Sequence, residues 1–437
     1  MTMTDAPKHV VVLGGGFAGL AVCSKLHDPR VRVTLVDRQN HHLFQPLLYQ
    51  VATAGLAAPD IAQPLRHILS DQRNVTTLMA EVTGIDAAAK RVQLGEQFLS
   101  YDYLVVALGA RTGYFGHREW EAFAPGLKTL DEATALRRRM LLAFERAETA
   151  KDTAERARLL SFVVVGGGPT GVETAGALAE LAQRALAGDF RHIDPSRANV
   201  HLVEAGPRLL PMFSPEQSDY TKRKLERMGV TVHVSAPVTA VGEGFVQAGD
   251  LRIEASVILW AAGVEGSPVV RTLQGATFDR GGRVQVAPDL SVPGLPEVFV
   301  AGDLVALTDP KGVRVPGVAP AAMQMGRHVA RQILGDLNGK QRMPFTYRDK
   351  GSMATIGRST AVAQVGKLRW NGWFAWAAWL TVHLFFLVGL RNRILVFLQW
   401  TWAYFTWQRG ARIITGLNLG TGSTKPADDS VKTQGNT

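Results

Sequence analysis

Val10-Val11-Val12-Leu13-Gly14-Gly15-Gly16-Phe17-Ala18-Gly19 and, about 150 residues later, Phe162-Val163-Val164-Val165-Gly166-Gly167-Gly168-Pro169-Thr170-Gly171 are the stretches that decide the fold. Each is a short unbroken apolar run that ends in Gly-x-Gly-x-x-Gly and leads into a helical stretch. An unbroken apolar run marks a strand buried on both faces, as in a parallel sheet. The glycine spacing is weak by itself and becomes specific with a strand before it, a helix after it and an acid at the end of the next strand. Both stretches meet that test. Val31 to Val36 ends in Asp37, 18 residues beyond Gly19, and Val200 to Val203 ends in Glu204, 33 residues beyond Gly171. The longer second interval predicts an inserted helix or loop around residues 185–196.

The spacing has a chemical reading. Gly14 and Gly166 permit the tight turn, Gly16 and Gly168 let backbone approach a pyrophosphate, and Gly19 and Gly171 let the helix pack close to the sheet. The phosphates then face free N–H groups at a helix N-terminus. Asp37 and Glu204 can accept from ribose hydroxyls. An acid at Glu204 repels a 2′-phosphate, and the next arginine is Arg208, so NADH is expected over NADPH.

Bulk properties narrow the rest. The chain has 437 residues, room for about three domains. A net charge of +10 invites nucleic acid, yet no dense Lys/Arg run or binding motif supports that partner, and an anionic membrane surface matches equally well. Arg137-Arg138-Arg139 reads as a solvated face of one helix over residues 130–160, started by Asp131. The single cysteine, Cys23, excludes an intrachain disulfide, a Cys-rich metal site and dithiol chemistry, and reads as a packing residue. His41, His42 and His383 lack ligand spacing, so no metal is expected. Asp5 and Lys8 precede the first strand without a signal-peptide pattern, which places the folded bulk in a reducing cytoplasm. Residues 418–437 are rich in Gly, Ser, Thr, Asp and Lys and read as disordered.

The C-terminal region is of another kind. Residues 370–407 hold seven of the nine tryptophans, with Arg391 and Arg393 as the only full charges. Gly372 to Leu390 would reach about 28 Å as a helix, just short of a hydrocarbon core of about 30 Å. Ile394 to Trp407 is too short to return, and a crossing would carry both arginines to the far side. Tryptophan prefers the interface, where an indole is half apolar and half wet. The reading is a helical hairpin lying in one leaflet, turned at residues 389–393, with Arg409 and Arg412 on the headgroups. A helix pair buried against a second copy of the chain, as a homodimer, and a true span are the alternatives.

Val298-Phe299-Val300-Ala301-Gly302-Asp303 is a third buried strand, ending in Gly-Asp. With it the sequence resembles the two-dinucleotide-binding-domain flavoproteins. Leu104 to Ala110 and Val257 to Gly263 look like their strand-plus-glycine segments, closing at Gly109 and Gly263. The resemblance implies FAD on Gly14, Gly16, Gly19, Asp37, Gly109, Gly302 and Asp303, and NADH on Gly166, Gly168, Gly171, Glu204 and Gly263. It implies an α/β fold of two Rossmann-like domains, the NADH domain (127–275) inserted into an FAD domain (1–126 and 276–350). A membrane-associating helical region, 351–417, follows.

Hydride transfer from NADH to flavin is then the first half-reaction. The acceptor is a quinone, a soluble protein or oxygen, and a membrane anchor favours quinone. The chain as a whole resembles bacterial type II NADH:quinone oxidoreductases. His42-Leu43-Phe44-Gln45-Pro46-Leu47-Leu48-Tyr49-Gln50 matches that family, which implies Pro46 along the flavin ring. Val318-Ala319-Pro320-Ala321-Ala322-Met323-Gln324 looks like its Ala-Gln-x-Ala-x-Gln quinone motif, with Pro320 where many members have Gln. The resemblance thus implies Ala319, Pro320 and Gln324 at the quinone, with Gln324 contacting a carbonyl or the flavin edge. Glu173, in the first turn after the second loop, either satisfies its helix N-terminus or, by the resemblance, stands at the flavin and relays protons with a raised pKa. The expected enzyme is a non-pumping NADH dehydrogenase on the cytoplasmic side of the cell inner membrane, peripheral or monotopic. A soluble-carrier reductase of the same fold and a non-catalytic NADH-binding redox sensor are the rival readings.

Overall fold

In the computed structural model, which describes residues 6–407 and 409–415, the first glycine loop leaves the centre of a parallel sheet. Strand Lys8–Leu13 lies between Val31–Asp37 and Tyr103–Val106, parallel to both. Its residues Val10 to Leu13 are fully buried, as their unbroken apolar run requires. Val75–Met79 extends one side, while Leu295–Val300 and the antiparallel Ser291–Val292 complete the other. One sheet is therefore built from chain on both sides of the second glycine loop.

That second loop leaves a four-stranded parallel sheet, ordered Val230–His233, Asn199–Val203, Ser161–Val165, Val257–Trp260. The two sheets are tied where they end. Gly109 and Gly263 lead into Ala110–Thr112 and Val264–Gly266, which pair antiparallel, and Arg111 Nε donates to Glu265 Oε1 at 2.5 Å. The doubly wound α/β architecture is as expected.

Local details differ from the expectations. The 130–160 stretch is two helices, Leu130–Thr149 and Thr153–Leu159. The first is capped by Thr129, not Asp131: the Thr129 hydroxyl accepts from Glu132 N while the Glu132 carboxylate reaches back to Thr129 N. A Thr-x-x-Glu capping box outcompetes a lone aspartate because it satisfies two free N–H groups at once. The long interval before Glu204 holds a π-helical turn, Leu181–Ala185, and a 3₁₀ turn, Pro195–Arg197.

The C-terminal region departs most. A three-stranded antiparallel sheet, Ser352–Gly357, Thr360–Val365 and Leu368–Gly372, precedes the helices. The helices are Trp373–Phe386 and Leu390–Thr406, so the turn is at residues 387–389, and Arg391 and Arg393 sit inside the second helix. The first helix, at 14 residues, is about 21 Å long. Among the described residues no helix is long and apolar enough to cross a membrane. Arg409 and Arg412 do not reach outward as expected. Arg409 donates to Thr53 O and Ala177 O at 2.8 and 3.1 Å and pairs with Glu180, and Arg412 binds Ala185 O and Asp189. Inward carbonyls satisfy these guanidinium groups better than a distant headgroup would. The disordered tail expected at 418–437 lies outside the described residues.

The C-terminal sheet sits on the second glycine-loop helix, Pro169–Glu180, through one close approach: a Cβ on Gly176 would lie 1.8 Å from Ile356 O. Gly176→Ala should therefore lower the thermal midpoint, although alanine is the better helix former by about 1 kcal/mol. A raised midpoint in a thermal scan would show that the sheet does not depend on this contact.

Candidate active site

Both loops have the geometry that their sequence promised. Gly14 and Gly166 have φ of +101° and +110°, and a Cβ on either would strike backbone at Ala107 or Ala261. Side chains are excluded there by conformation and by space. Gly16 and Gly168 are the N-caps of their helices, Phe17–Cys23 and Pro169–Glu180, with no side chain capping either. Nothing approaches within 4 Å of where their Cβ atoms would be, so bare N–H groups face open space large enough for phosphate oxygens. Asp37 accepts from Gly15 N at 2.6 Å and from Gln39 N at 2.7 Å; Glu204 accepts from Gly167 N and Gly206 N. Each carboxylate is thereby held at its loop with lone pairs left for ribose hydroxyls.

The late segment folds back to the first cradle. Gly302 and Asp303 form a 3₁₀ turn after Leu295–Val300, and Gly302 packs near Ala18 of the first loop helix. The Asp303 carboxylate has no internal hydrogen-bond partner among the described residues. Pro46, half-buried, lies in the 3₁₀ turn Gln45–Leu47. These residues fit FAD, with bare amides for its pyrophosphate, a carboxylate for one ribose and another for the ribitol. Cys23 is fully buried, its thiol pushed up to about 12 by burial, and has a packing role. His42 is likewise buried, with Nδ1 against Gly15 O at 3.0 Å.

The structure does not bring all the expected acceptor-site residues together. Ala319, Pro320 and Gln324 lie on helix Ala319–Asp336. Both ends of the Gln324 amide are taken: Nε2 donates to Arg348 O and Oε1 accepts from Arg348 N, each at 3.0 Å. Glu173 instead lines a cavity of about 130 Å³ roofed by the C-terminal helices. Tyr49, Thr355, Arg358, Trp379 and Trp400 share it.

Glu173 does not cap its own helix. It stands one turn in from Pro169, and its Oε1 accepts from Thr355 N of the C-terminal sheet at 3.3 Å. Burial pushes its pKa up to about 8, opposed by the Thr355 amide and the Trp379 indole, so the carboxyl is protonated at neutral pH. Around it the polar groups are fixed. Trp400 Nε1 donates to Gln50 Oε1 at 2.8 Å, and Gln50 Nε2 donates to the Tyr49 hydroxyl at 2.9 Å, leaving the Tyr49 proton free to point elsewhere. Trp379 stacks on His383 at 4.3 Å, and burial lowers that imidazole to about 4. His383 is therefore neutral, donating from Nδ1 to Trp379 O, which is a packing role.

Comparison with known proteins agrees with this geometry. Residues 8–326 match the family described as pyridine nucleotide-disulphide oxidoreductase, and residues 350–407 match the NDH2 C-terminal domain. The chain is 47% identical over 423 residues to the type II NADH:quinone oxidoreductase NdhA of Mycobacterium tuberculosis, covering 93% of this chain and 89% of that one. It is 32% identical to the type II NADH:quinone oxidoreductase of Staphylococcus haemolyticus, covering 83% and 91%. This chain belongs to the type II NADH:quinone oxidoreductases. Its fold matches that of NDH2 from Plasmodium falciparum in complex with NADH, with a TM-score of 0.85, 19% identity and coverage of 94% and 100%.

For a type II NADH:quinone oxidoreductase, the residues that sequence reasoning missed are those facing Glu173 from distant segments. Tyr49 and Gln50 lie on helix Leu48–Ala52, just past Pro46, and nothing in their local sequence marks them as cavity residues. Thr355 and Arg358 had no signal, because the sheet that carries them was not foreseen. Arg409 was noticed for its charge and given the wrong direction.

Proposed function

We propose that this chain oxidises NADH and reduces a membrane quinone by two electrons, the quinol taking two protons on the cytoplasmic side while NADH oxidation releases one, and pumping none. The observation that carries this reading is Glu173: a buried, protonated carboxyl in an aromatic-lined cavity between the second glycine loop and an apolar C-terminal face. The relatives' printed activity and the bare dinucleotide cradles support it. FAD held in the first cradle would supply the two-electron redox chemistry that links NADH to quinone.

The chain's own residues do the rest. The cradle of Gly14, Gly16, Gly19, Asp37, Gly109, Gly302 and Asp303 holds FAD, with Pro46 beside the ring. The second, of Gly166, Gly168, Gly171 and Gly263, orients NADH within residues 127–275, and Glu204 disfavours a 2′-phosphate. Glu173 holds a proton for a quinone oxygen, and the surrounding indoles keep water from competing for it. Ala319 and Pro320 lie outside the lining of this cavity, and Gln324 reaches a quinone only if its pair with Arg348 opens.

The C-terminal face supports peripheral attachment to the cytoplasmic side of the inner membrane. Phe374, Phe385 and Phe405 are 75%, 66% and 75% exposed, far more apolar surface than a lone side chain presents. At the hairpin tip Lys367 and Arg369 alternate with exposed Leu368 and Trp370, an arrangement suited to anionic lipid. The full chain should sediment with anionic phospholipid vesicles, and Phe374→Ser/Phe405→Ser should stay in the supernatant. Equal sedimentation of both would remove the anchor, and self-association of the wild type without lipid would assign the face to a second copy.

Glu173→Gln tests the reaction itself. Glu173 loses its proton as pH rises through about 8, so wild-type quinone turnover should fall there. The Gln variant should be slower by roughly 10²-fold or more at pH 7 and lack that decline. Identical pH profiles for wild type and variant would refute the proton role.

A further inference from the structure

The C-terminal hairpin that gives Thr355 to Glu173 also carries Arg358 three residues on, and this arginine has no place in the scheme so far. Its backbone N–H donates to Glu180 Oε1. Its guanidinium lies 4.2 Å over the Tyr404 ring and 4.0 Å over the Trp407 ring. Two aromatic faces fix its plane. Among the described residues no carboxylate is within ion-pair distance of it, whereas Glu180 pairs with Arg409 at 3.3 Å. Nη1 is buried and has no hydrogen-bond partner. Arg358 lines the same cavity as Glu173. An unpaired, desolvated guanidinium donor is costly unless an acceptor arrives to use it.

Thr355 N reaches Glu173 and Arg358 N reaches Glu180, so the turn runs along the helix and sets Arg358 on the same cavity as Glu173. From this juxtaposition we propose that Arg358 is a binding and positioning residue for the quinone, donating from Nη1 to the carbonyl opposite the one served by Glu173. This rests on the quinone reading above. The overall balance is quinone + NADH + H⁺ → quinol + NAD⁺. Arg358 keeps its proton throughout: it orients the ring and stabilises negative charge as electrons reach that oxygen. Solvent supplies the second oxygen's proton.

The test is rapid mixing of the FAD-loaded full-length enzyme, with Arg358→Lys and Arg358→Met beside the wild type. Flavin content and thermal midpoint verify that each variant is folded. NADH should bleach the flavin at the wild-type rate in all three. Reoxidation by a short-chain quinone analogue should slow roughly 10- to 100-fold in the Met variant, with Lys between, and quinone KM should rise with it. Reoxidation by ferricyanide, which needs no carbonyl donor, should be equal in all. Equal quinone rates in the three proteins would overturn the proposal. So would a matching loss with ferricyanide, which would mark a general structural defect. Failure of the wild type itself to reoxidise with quinone would overturn the acceptor reading, and this inference with it.

Discussion

One backbone contact sets the geometry of the acceptor side: Ile356 O lies where only a glycine, Gly176, leaves room for it on the second glycine-loop helix. Because sheet and helix meet there, Thr355 falls on Glu173 and Arg358 falls on Glu180. The helix pair that follows the sheet is then suspended above the same surface and fastened at its far side, where Asn392 donates to Pro59 O and Asp60 O at 3.0 and 3.1 Å. The cavity is therefore a gap between three separately folded pieces of chain. No single segment could form it.

That gap treats its carboxyls in two ways. Glu180 and Glu173 are both driven toward the protonated form by burial, but Glu180 has the Arg409 guanidinium and both the amide and the charge of Arg358 against it. Glu173 has only an amide and an indole, so it keeps its proton. A neutral acid sharing a cavity with a buried Nη1 donor that lacks an acceptor is a poor arrangement for stability alone. It is a useful one for a reaction that brings two electrons and needs two protons. The same logic places the apolar face directly over the cavity, where a lipid-soluble substrate would enter without crossing bulk water.

The fold was legible wherever sequence carries local chemistry. The apolar runs before Gly14 and Gly166 specified buried parallel strands, and Asp37 and Glu204, at the ends of the following strands, each accept from an amide of their own glycine loop. Gly302-Asp303 could be assigned only by resemblance, because its partner strand, Tyr103–Val106, is remote in sequence. The C-terminal sheet escaped for a physical reason: its strands are short and antiparallel, and their role depends on docking to Gly176 rather than on their own periodicity. Arg409 was misdirected for a related reason. Its partners, Thr53, Ala177 and Glu180, come from two distant helical regions, and charge alone suggested lipid. The pattern around Gln324 could not reveal that Arg348 closes on its amide.

The central claim is that the quinone is reduced in the cavity beside Glu173. A photoreactive quinone analogue, irradiated with the FAD-loaded enzyme and mapped by peptide mass spectrometry, tests it most directly. The account predicts labels on the helix carrying Glu173, on residues 353–358 and on the tryptophans at 379 and 400, suppressed by excess unlabelled quinone. Suppressible labelling confined to residues 319–324 would contradict it.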